Sequence, residues 1–307
     1  MRIARRAATG EFSSSQAMPI IDAHVHLYPP EINRGPAAWA AAHGEPHWAA
    51  LCTRRRRDGR PVQSFPSADE LLREMDRAGV ARAILLGWYW ENAANCSRQN
   101  RFYAECVRAH PTRLAAFASV QPRAGHWAAL EELHRARDGG LVGLGELSPH
   151  SQRYAADDPV LGEILTLAAD WRMPVNLHVT DPAGREYPGR VATPLGDFVT
   201  LARKFPTTRF ILAHWGGLLP LHEPAAVELD NVFYDTAASP LLYDETVWKQ
   251  FLGVVPAERV LFGSDFPLNL SPRLDPAPDM SRLIAEAARA GATDAVLHGN
   301  AERLLNR

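Results

Sequence analysis

Residues 19–30 read PIIDAHVHLYPP. Ile20 and Ile21 open an apolar run that ends on Asp22, His24 and His26. In a β-strand, residues i and i+2 point to the same side. His24 and His26 therefore project together and Val25 faces the other way. The residues just after this strand separate two α/β architectures. A doubly wound open sheet usually places a Gly-rich phosphate loop after its first strand. Here Tyr28-Pro29-Pro30 stand in that place.

Outward from this point the chain alternates between short β-type runs and longer amphipathic segments, with Gly, Pro or Asp at the junctions. Strands are expected over 19–27, 81–87, 113–120, 142–147, 174–179, 209–215, 231–237 and 259–264. Helices are expected over 68–78, 93–109, 126–137, 159–171, 194–204, 223–228, 244–254 and 280–290, with a last one over 293–305. Several of the strands are nearly all apolar, such as ARAILLG at 81–87 and RFILAHW at 209–215. Strands buried on both faces of a parallel sheet read that way. Eight such units in a row fit a (β/α)8 TIM barrel, whose usual size is about 250 residues before insertions. The connection from Tyr28 to Ser67 is too long for a plain loop. It is expected to be a functional insertion after strand 1 or to carry small helices of its own.

The 307 residues are 46% hydrophobic and 22% charged, enough apolar mass for a sizeable core. A net charge of −2 provides no global field for nucleic acid or an anionic membrane. Cys52, Cys96 and Cys106 are an odd number without Cys-x-x-Cys spacing, which suits a reducing cytoplasm better than a disulfide framework. No apolar run approaches transmembrane length. Residues 1–17 lack the apolar core of a secretory signal. They are expected to form a disordered tail ahead of a single domain over 18–307. The expected partner is a small-molecule substrate, with homo-oligomerisation left open.

In a parallel barrel the carboxyl ends of all strands meet at one mouth. Strand 1 ends on His24 and His26, strand 4 on Glu146, strand 5 on His178, strand 6 on His214 and strand 8 on Asp265. Paired neutral imidazoles can hold a divalent metal ion. His110, His126 and His134 fall on helices or their caps and are read as surface residues. His298, before the last helix, is read as structural.

The pattern of His-x-His at strand 1, single histidines at strands 5 and 6 and Asp at strand 8 resembles the amidohydrolase superfamily. IDAHVHLYPP, ILAHWGG, LFGSDFP and VLHGNAERLL look like its amidohydrolase-2 branch of metal-dependent barrel enzymes. The resemblance implies that His24, His26, His178 and Asp265 are metal ligands. It makes His214 a ligand or a base or electrophile touching substrate. Glu146 matches the strand-4 carboxylate that ligates metal in TatD-like relatives, whereas many decarboxylases of the branch have no ligand there. Glu146 thus leans the reading toward hydrolysis and leaves one or two ions open.

A divalent ion held by imidazole and carboxylate lowers the pKa of water toward ~7 and supplies hydroxide at neutral pH. Asp265 would carry the proton, and His214 would polarise the carbonyl under attack. Nitrogen and oxygen donors without thiolate fit zinc first, with manganese or iron as alternatives. The expected activity is hydrolysis of an amide, ester or lactone. The alternative is a metal-dependent, non-oxidative decarboxylase of a carboxylated aromatic or enoic acid. A barrel that has lost its chemistry is disfavoured by the full ligand set.

The GWYW run after strand 2 puts Trp88, Tyr89 and Trp90 near the mouth, where they stack on a flat ligand or pack the loop; substrate contacts are expected from Trp88, Trp90 and Arg185 after strand 5, with Arg190 as a comparable candidate. The run Arg54–Arg57 is a solvated face or an anion contact. His43 and His47, four apart, would share a helix face and hold a second ion, or else belong to a lid around Trp39 and Trp48. Asp235, at the end of strand 7, is a candidate supporting residue.

Overall fold

Burial on both faces makes the strands of this chain. LAAFA (β3, Leu114–Ala118) and GLGEL (β4, Gly143–Leu147) are buried at every position, so neither face offers the polar alternation of a half-solvated sheet. The computed structural model describes residues 19–305. Its other strands are β1 (Ile20–Val25), β2 (Val80–Leu85), β5 (Val175–Leu177), β6 (Phe210–Leu212), β7 (Val232–Asp235) and β8 (Val260–Leu261). All neighbours pair in parallel and in sequence order, β1 through β8.

The ends of this sheet meet to close a TIM barrel. Ala23 N–H donates to Phe262 O (2.8 Å), Asp265 N–H to His24 O (2.8 Å) and His26 N–H to Phe266 O (2.7 Å). The seam between β1 and the chain after β8 is thus fastened by the backbones of three residues singled out in the sequence.

Alternate residues along the strands sort into two apolar clusters. Leu114, Ala116 and Ala118 of β3 join the large cluster with Tyr103 and Leu133 from the surrounding helices. Ala115 and Phe117 join a smaller one with Ile84, Ile211 and Leu261. This is the period of two expected of strands with apolar side chains on each face.

The insertion after β1 carries three short helices, α1 (Pro30–Asn33), α2 (Pro36–His43) and α3 (Pro46–Cys52). Each begins on a proline, whose fixed φ and missing N–H suit the first helical position. Then come α4 (Ala68–Ala78), α5 (Ala93–Ala109), α6 (His126–Asp138), α7 (Pro149–Gln152), α8 (Pro159–Asp170), α9 (Leu195–Lys204), α10 (Leu219–His222), α11 (Ser239–Leu242), α12 (Thr246–Leu252), α13 (Met280–Arg289) and α14 (Asn300–Leu305). Segment 224–228 is a 3-10 turn rather than a helix, and a π turn over 295–299 precedes α14.

The insertion folds as a lid with its own core. Tyr28, Ile32, Trp39, Trp48 and Cys52 pack there with Trp88, Tyr89 and Trp90 from the segment after β2 and Cys96 from the helix that follows. Glu45, wholly buried, fastens it: its carboxylate accepts from Glu91 N (2.9 Å), Asn92 N (3.0 Å) and Asn95 Nδ2 (2.6 Å). The three cysteines are free and buried. No helix among the described residues is long and apolar enough to cross a membrane. The tail expected over 1–17 lies outside the described residues.

Candidate active site

The strands deliver their terminal polar side chains to one point. His24 on β1 and His26 just past its end lie with their Nε2 atoms 3.1 Å from each other. Their Nδ1 atoms are already engaged. His24 Nδ1 donates to Asp235 Oδ2 (2.9 Å) and His26 Nδ1 donates to Leu86 O (3.1 Å). An imidazole that donates from one nitrogen offers a lone pair at the other. Two such lone pairs, buried and turned toward each other, repel unless a proton or a metal cation sits between them.

Carboxylates complete the donor set. Asp265 Oδ1 lies 3.5 Å from His26 Nε2 and 3.8 Å from His24 Nε2. Glu146 Oε2 lies 3.8 Å and 4.0 Å from the same two nitrogens. Its other oxygen accepts from His178 Nδ1 (2.8 Å) and is 3.5 Å from His214 Nε2. His214 Nδ1 donates to Ala237 O (3.2 Å). The ligand atoms of His24, His26 and Asp265 lie within 4.8 Å of one another, and so do those of His24, Glu146 and His214. His178 belongs to neither trio and stands at the rim as the hydrogen-bond partner of Glu146.

The charge balance also calls for a cation. Glu146, Asp235 and Asp265 share one buried region. Burial works against a charged His24, yet Asp235, Glu146 and Asp265 outweigh it and raise its pKa to about 10. Burial and the neighbouring His24 charge push His26 down to about 3. Burial lifts Asp265 to about 6 against the pull of His24 and His214. A protonated His24 thus offsets the carboxylates, and a divalent ion among these nitrogen and oxygen donors would do so at its place. The residues present fit a divalent metal.

Two backbone conformations set this geometry. His214 and Asp265 both lie in the left-handed region, with φ of 59° and 67°. The chain turns sharply at each strand end, so β6 stops at Leu212 and its histidine swings to the mouth.

Asp235 and Asn176 form the support under the donors. Asp235 Oδ1 accepts from the backbone N–H of His214 and of Ala237, both at 3.0 Å. Its Oδ2 takes Asn176 Nδ2 (3.0 Å) along with His24. Asn176 escaped the sequence reading. Its signal was present: a polar residue in the apolar β5, two before His178 and so on the same side.

A cavity of about 930 Å³ opens above the donors. Trp88 and Tyr89 line it, with ring centroids 5.3 Å from His26 and 4.9 Å from His178, respectively. Trp90 does not. It is fully buried in the lid core, and its Nε1 donates to Gln99 Oε1 (2.5 Å). Arg54, Arg56, Arg185 and Arg190 all line the cavity. Among the described residues, Arg54 and Arg185 find no ion-pair partner. His43 and His47 lie on different helices because Gly44, with φ of 67°, ends α2 before Pro46 opens α3. His43 stacks on Trp39, whereas His47 lines the cavity and bonds to Gly189 O (2.9 Å).

A model of the amidohydrolase family (Amidohydro_2) matches residues 21–307. The chain belongs to this family. Among solved structures, this amidohydrolase is similar to 5-carboxyvanillate decarboxylase from Sphingomonas paucimobilis, at 18% identity and a TM-score of 0.70 over 94% of this chain and 99% of that one. It is also similar to a dihydroxybenzoic acid decarboxylase from Polaromonas sp. JS666, solved with manganese and 2-nitroresorcinol, at 20% identity and a TM-score of 0.67 over 94% and 98%. A third is 4-oxalomesaconate hydratase from Rhodopseudomonas palustris, at 19% identity and a TM-score of 0.63 over 93% and 95%. No curated protein matches the chain. Those named are two decarboxylases and a hydratase, and at 18–20% identity the likeness shows the shared fold, so it lends nothing to the hydrolysis expected from the sequence.

Proposed function

We propose that this amidohydrolase is a metal-dependent, non-oxidative decarboxylase of a carboxylated aromatic or enoic acid, with manganese ahead of zinc as its ion. The observation that carries the reading is the aromatic wall of Trp88 and Tyr89 set directly beside the donor cluster, which suits a flat conjugated acid. Decarboxylases among the similar structures support it. In this reading His24, His26, His178 and Asp265 hold the ion, with Glu146 beside them. The ion would anchor the substrate's carboxylate and hold the conjugated acid in register with the residues that move its proton.

The chain's own groups do the rest. Asp265, with Oδ1 turned to the His24 and His26 donors, would hold the ion through that oxygen and pass a proton from its other oxygen to the ring carbon that bears the carboxylate. The bond to that carboxylate then breaks, its electron pair restores conjugation, and carbon dioxide leaves. His214 Nε2 faces the same space and orients a substrate oxygen. Arg54 and Arg185, free of ion pairs, steer the anionic acid into the cavity.

One observation favours hydrolysis as a second reading. Glu146 is a buried carboxylate among the donors, positioned to take a proton from an attacking water. A single assay separates the two. Manganese-loaded protein is incubated with hydroxybenzoate, 5-carboxyvanillate, lactone and amide panels in ¹⁸O-water. Release of carbon dioxide with no ¹⁸O in the remaining product is expected, together with loss of turnover on chelation and recovery with Mn²⁺. A ¹⁸O-labelled carboxylate without carbon dioxide would overturn the decarboxylase reading.

A further inference from the structure

We propose that the substrate carries an apolar extension, an alkyl chain or second ring, that lies against Leu241 and Leu242. The inference rests on the aromatic-acid reading above and concerns what is attached to that acid. A cavity of about 150 Å³ is enough to hold benzene. The space above the donors, about 930 Å³, is several times larger than a single carboxylated ring needs.

Part of the lining around the surplus is apolar, with Tyr243, Asp244, Thr246 and Gln250 interspersed along it. Leu218, Ala238, Leu241, Leu242 and Val247 contribute to its lining from the loop after β6 and from the β7 loop with α11 and α12. Leu241 and Leu242 are 36% and 41% exposed. Trp127, Val142, Val254 and Leu274, the other exposed large apolar residues among those described, lie outside this cavity. Single exposed leucines are ordinary. Two adjacent ones that continue a cavity wall form a surface that gains from being covered.

The two leucines are also held in place. Their N–H groups both bond to Ala238 O, at 2.9 and 3.2 Å, and Tyr243 N–H closes the turn on Ser239 O (2.9 Å). Ser239 is fully buried beneath them and accepts from Trp215 Nε1 (3.0 Å). The apolar wall is therefore presented on a fixed turn, which lowers the ordering cost for a ligand that lies on it.

The test compares resorcinol with 4-hexylresorcinol, two stable rings that differ only in the chain, by calorimetric titration of the manganese-loaded protein. A fully buried methylene is worth about fourfold in affinity. Half-burial of six carbons therefore predicts about 60-fold tighter binding of the hexyl compound. In Leu241→Asn/Leu242→Asn that ratio should fall at least tenfold. In Val254→Asn, a change at an exposed apolar residue outside the cavity, it should persist. A ratio near one in the unaltered protein overturns the proposal. So does a ratio that survives the double substitution, and a double variant that alters only the mass of the assembly would assign the leucines to contacts between copies. Carbon dioxide release keeps the two inferences apart. A ratio near one with release intact removes the extension alone, whereas a large ratio with no release from any acid removes the lyase reading alone.

Discussion

Asp235→Asn isolates the support under the metal donors. All four groups around the Asp235 carboxylate are donors: the N–H groups of His214 and Ala237 on Oδ1, and His24 Nδ1 and Asn176 Nδ2 on Oδ2. An amide in its place has one oxygen and one NH2. The two backbone N–H groups cannot turn away, so the oxygen must stay with them and the NH2 must face His24 and Asn176. Asn176 can comply, because its Oδ1 is buried without a partner and a flip of its amide presents that oxygen. His24 can comply only by accepting at Nδ1, which moves its proton to Nε2, the atom that faces His26. The substitution thus preserves volume and packing but blocks one metal-facing lone pair. Removing such supports typically costs 10- to 100-fold in metal affinity, or about 1.4–2.7 kcal/mol. Manganese titration in competition with a chromogenic chelator reads the loss directly, with circular dichroism confirming the fold. Asp235→Ala should behave differently, since it leaves buried donors unpaired at about 1–3 kcal/mol each and lowers Tm. A manganese Kd for Asp235→Asn within twofold of the original would refute the tautomer argument.

Other substitutions probe separate parts of the site. Asp265 sits at φ 67°, a conformation Asn tolerates well, so Asp265→Asn should keep the backbone and lose at least 100-fold in turnover, read by carbon dioxide release. His178→Ala should abolish metal-dependent turnover while thermal melting shows the fold intact. A Cβ at Gly145 would lie 2.3 Å from Asn176 O, at a φ of +119°. Gly145→Ala should therefore cost about 3 kcal/mol in denaturant unfolding and disturb the neighbouring Glu146. Burial holds the pKa of His47 below its ordinary 6.5. As pH falls below 6.5 the unfolded chain takes up a proton that the folded one resists, so stability drops there and is unaffected above. The Tm difference between pH 7.5 and 5.5 should shrink in His47→Gln.

The barrel was legible because its strands are apolar on both faces and its helices are well marked. The expected helix over 68–78 matches α4 at both ends, where Ser67 and Glu70 form a reciprocal cap. Strand ends were less legible. The run RFILAHW keeps its apolar character through Trp215, but the left-handed turn at His214 stops β6 early, and no hydrophobic pattern encodes φ. GWYW misled for a related reason. The run was expected near the mouth as a whole or packed in the loop, yet β2 ends at Leu85, so Trp88 and Tyr89 reach the cavity while Trp90 turns into the lid. The convergence of His24, His26, Glu146, His214 and Asp265 came from placing each at a strand end. The engagement of His178 with Glu146 depends on side-chain direction, which strand position alone does not fix.

The seam of the barrel has a consequence during synthesis. Asp265 N–H bonds to His24 O and His26 N–H to Phe266 O, so the first and last strands align one another's donors. A ribosome that has released only the first seven strands has made the imidazoles of His24 and His26 but not the Asp265 carboxylate or the backbone that completes their surroundings. In the proposed reading, capture of the ion then belongs to the closing moments of translation, and a nascent chain halted before residue 265 should emerge without it.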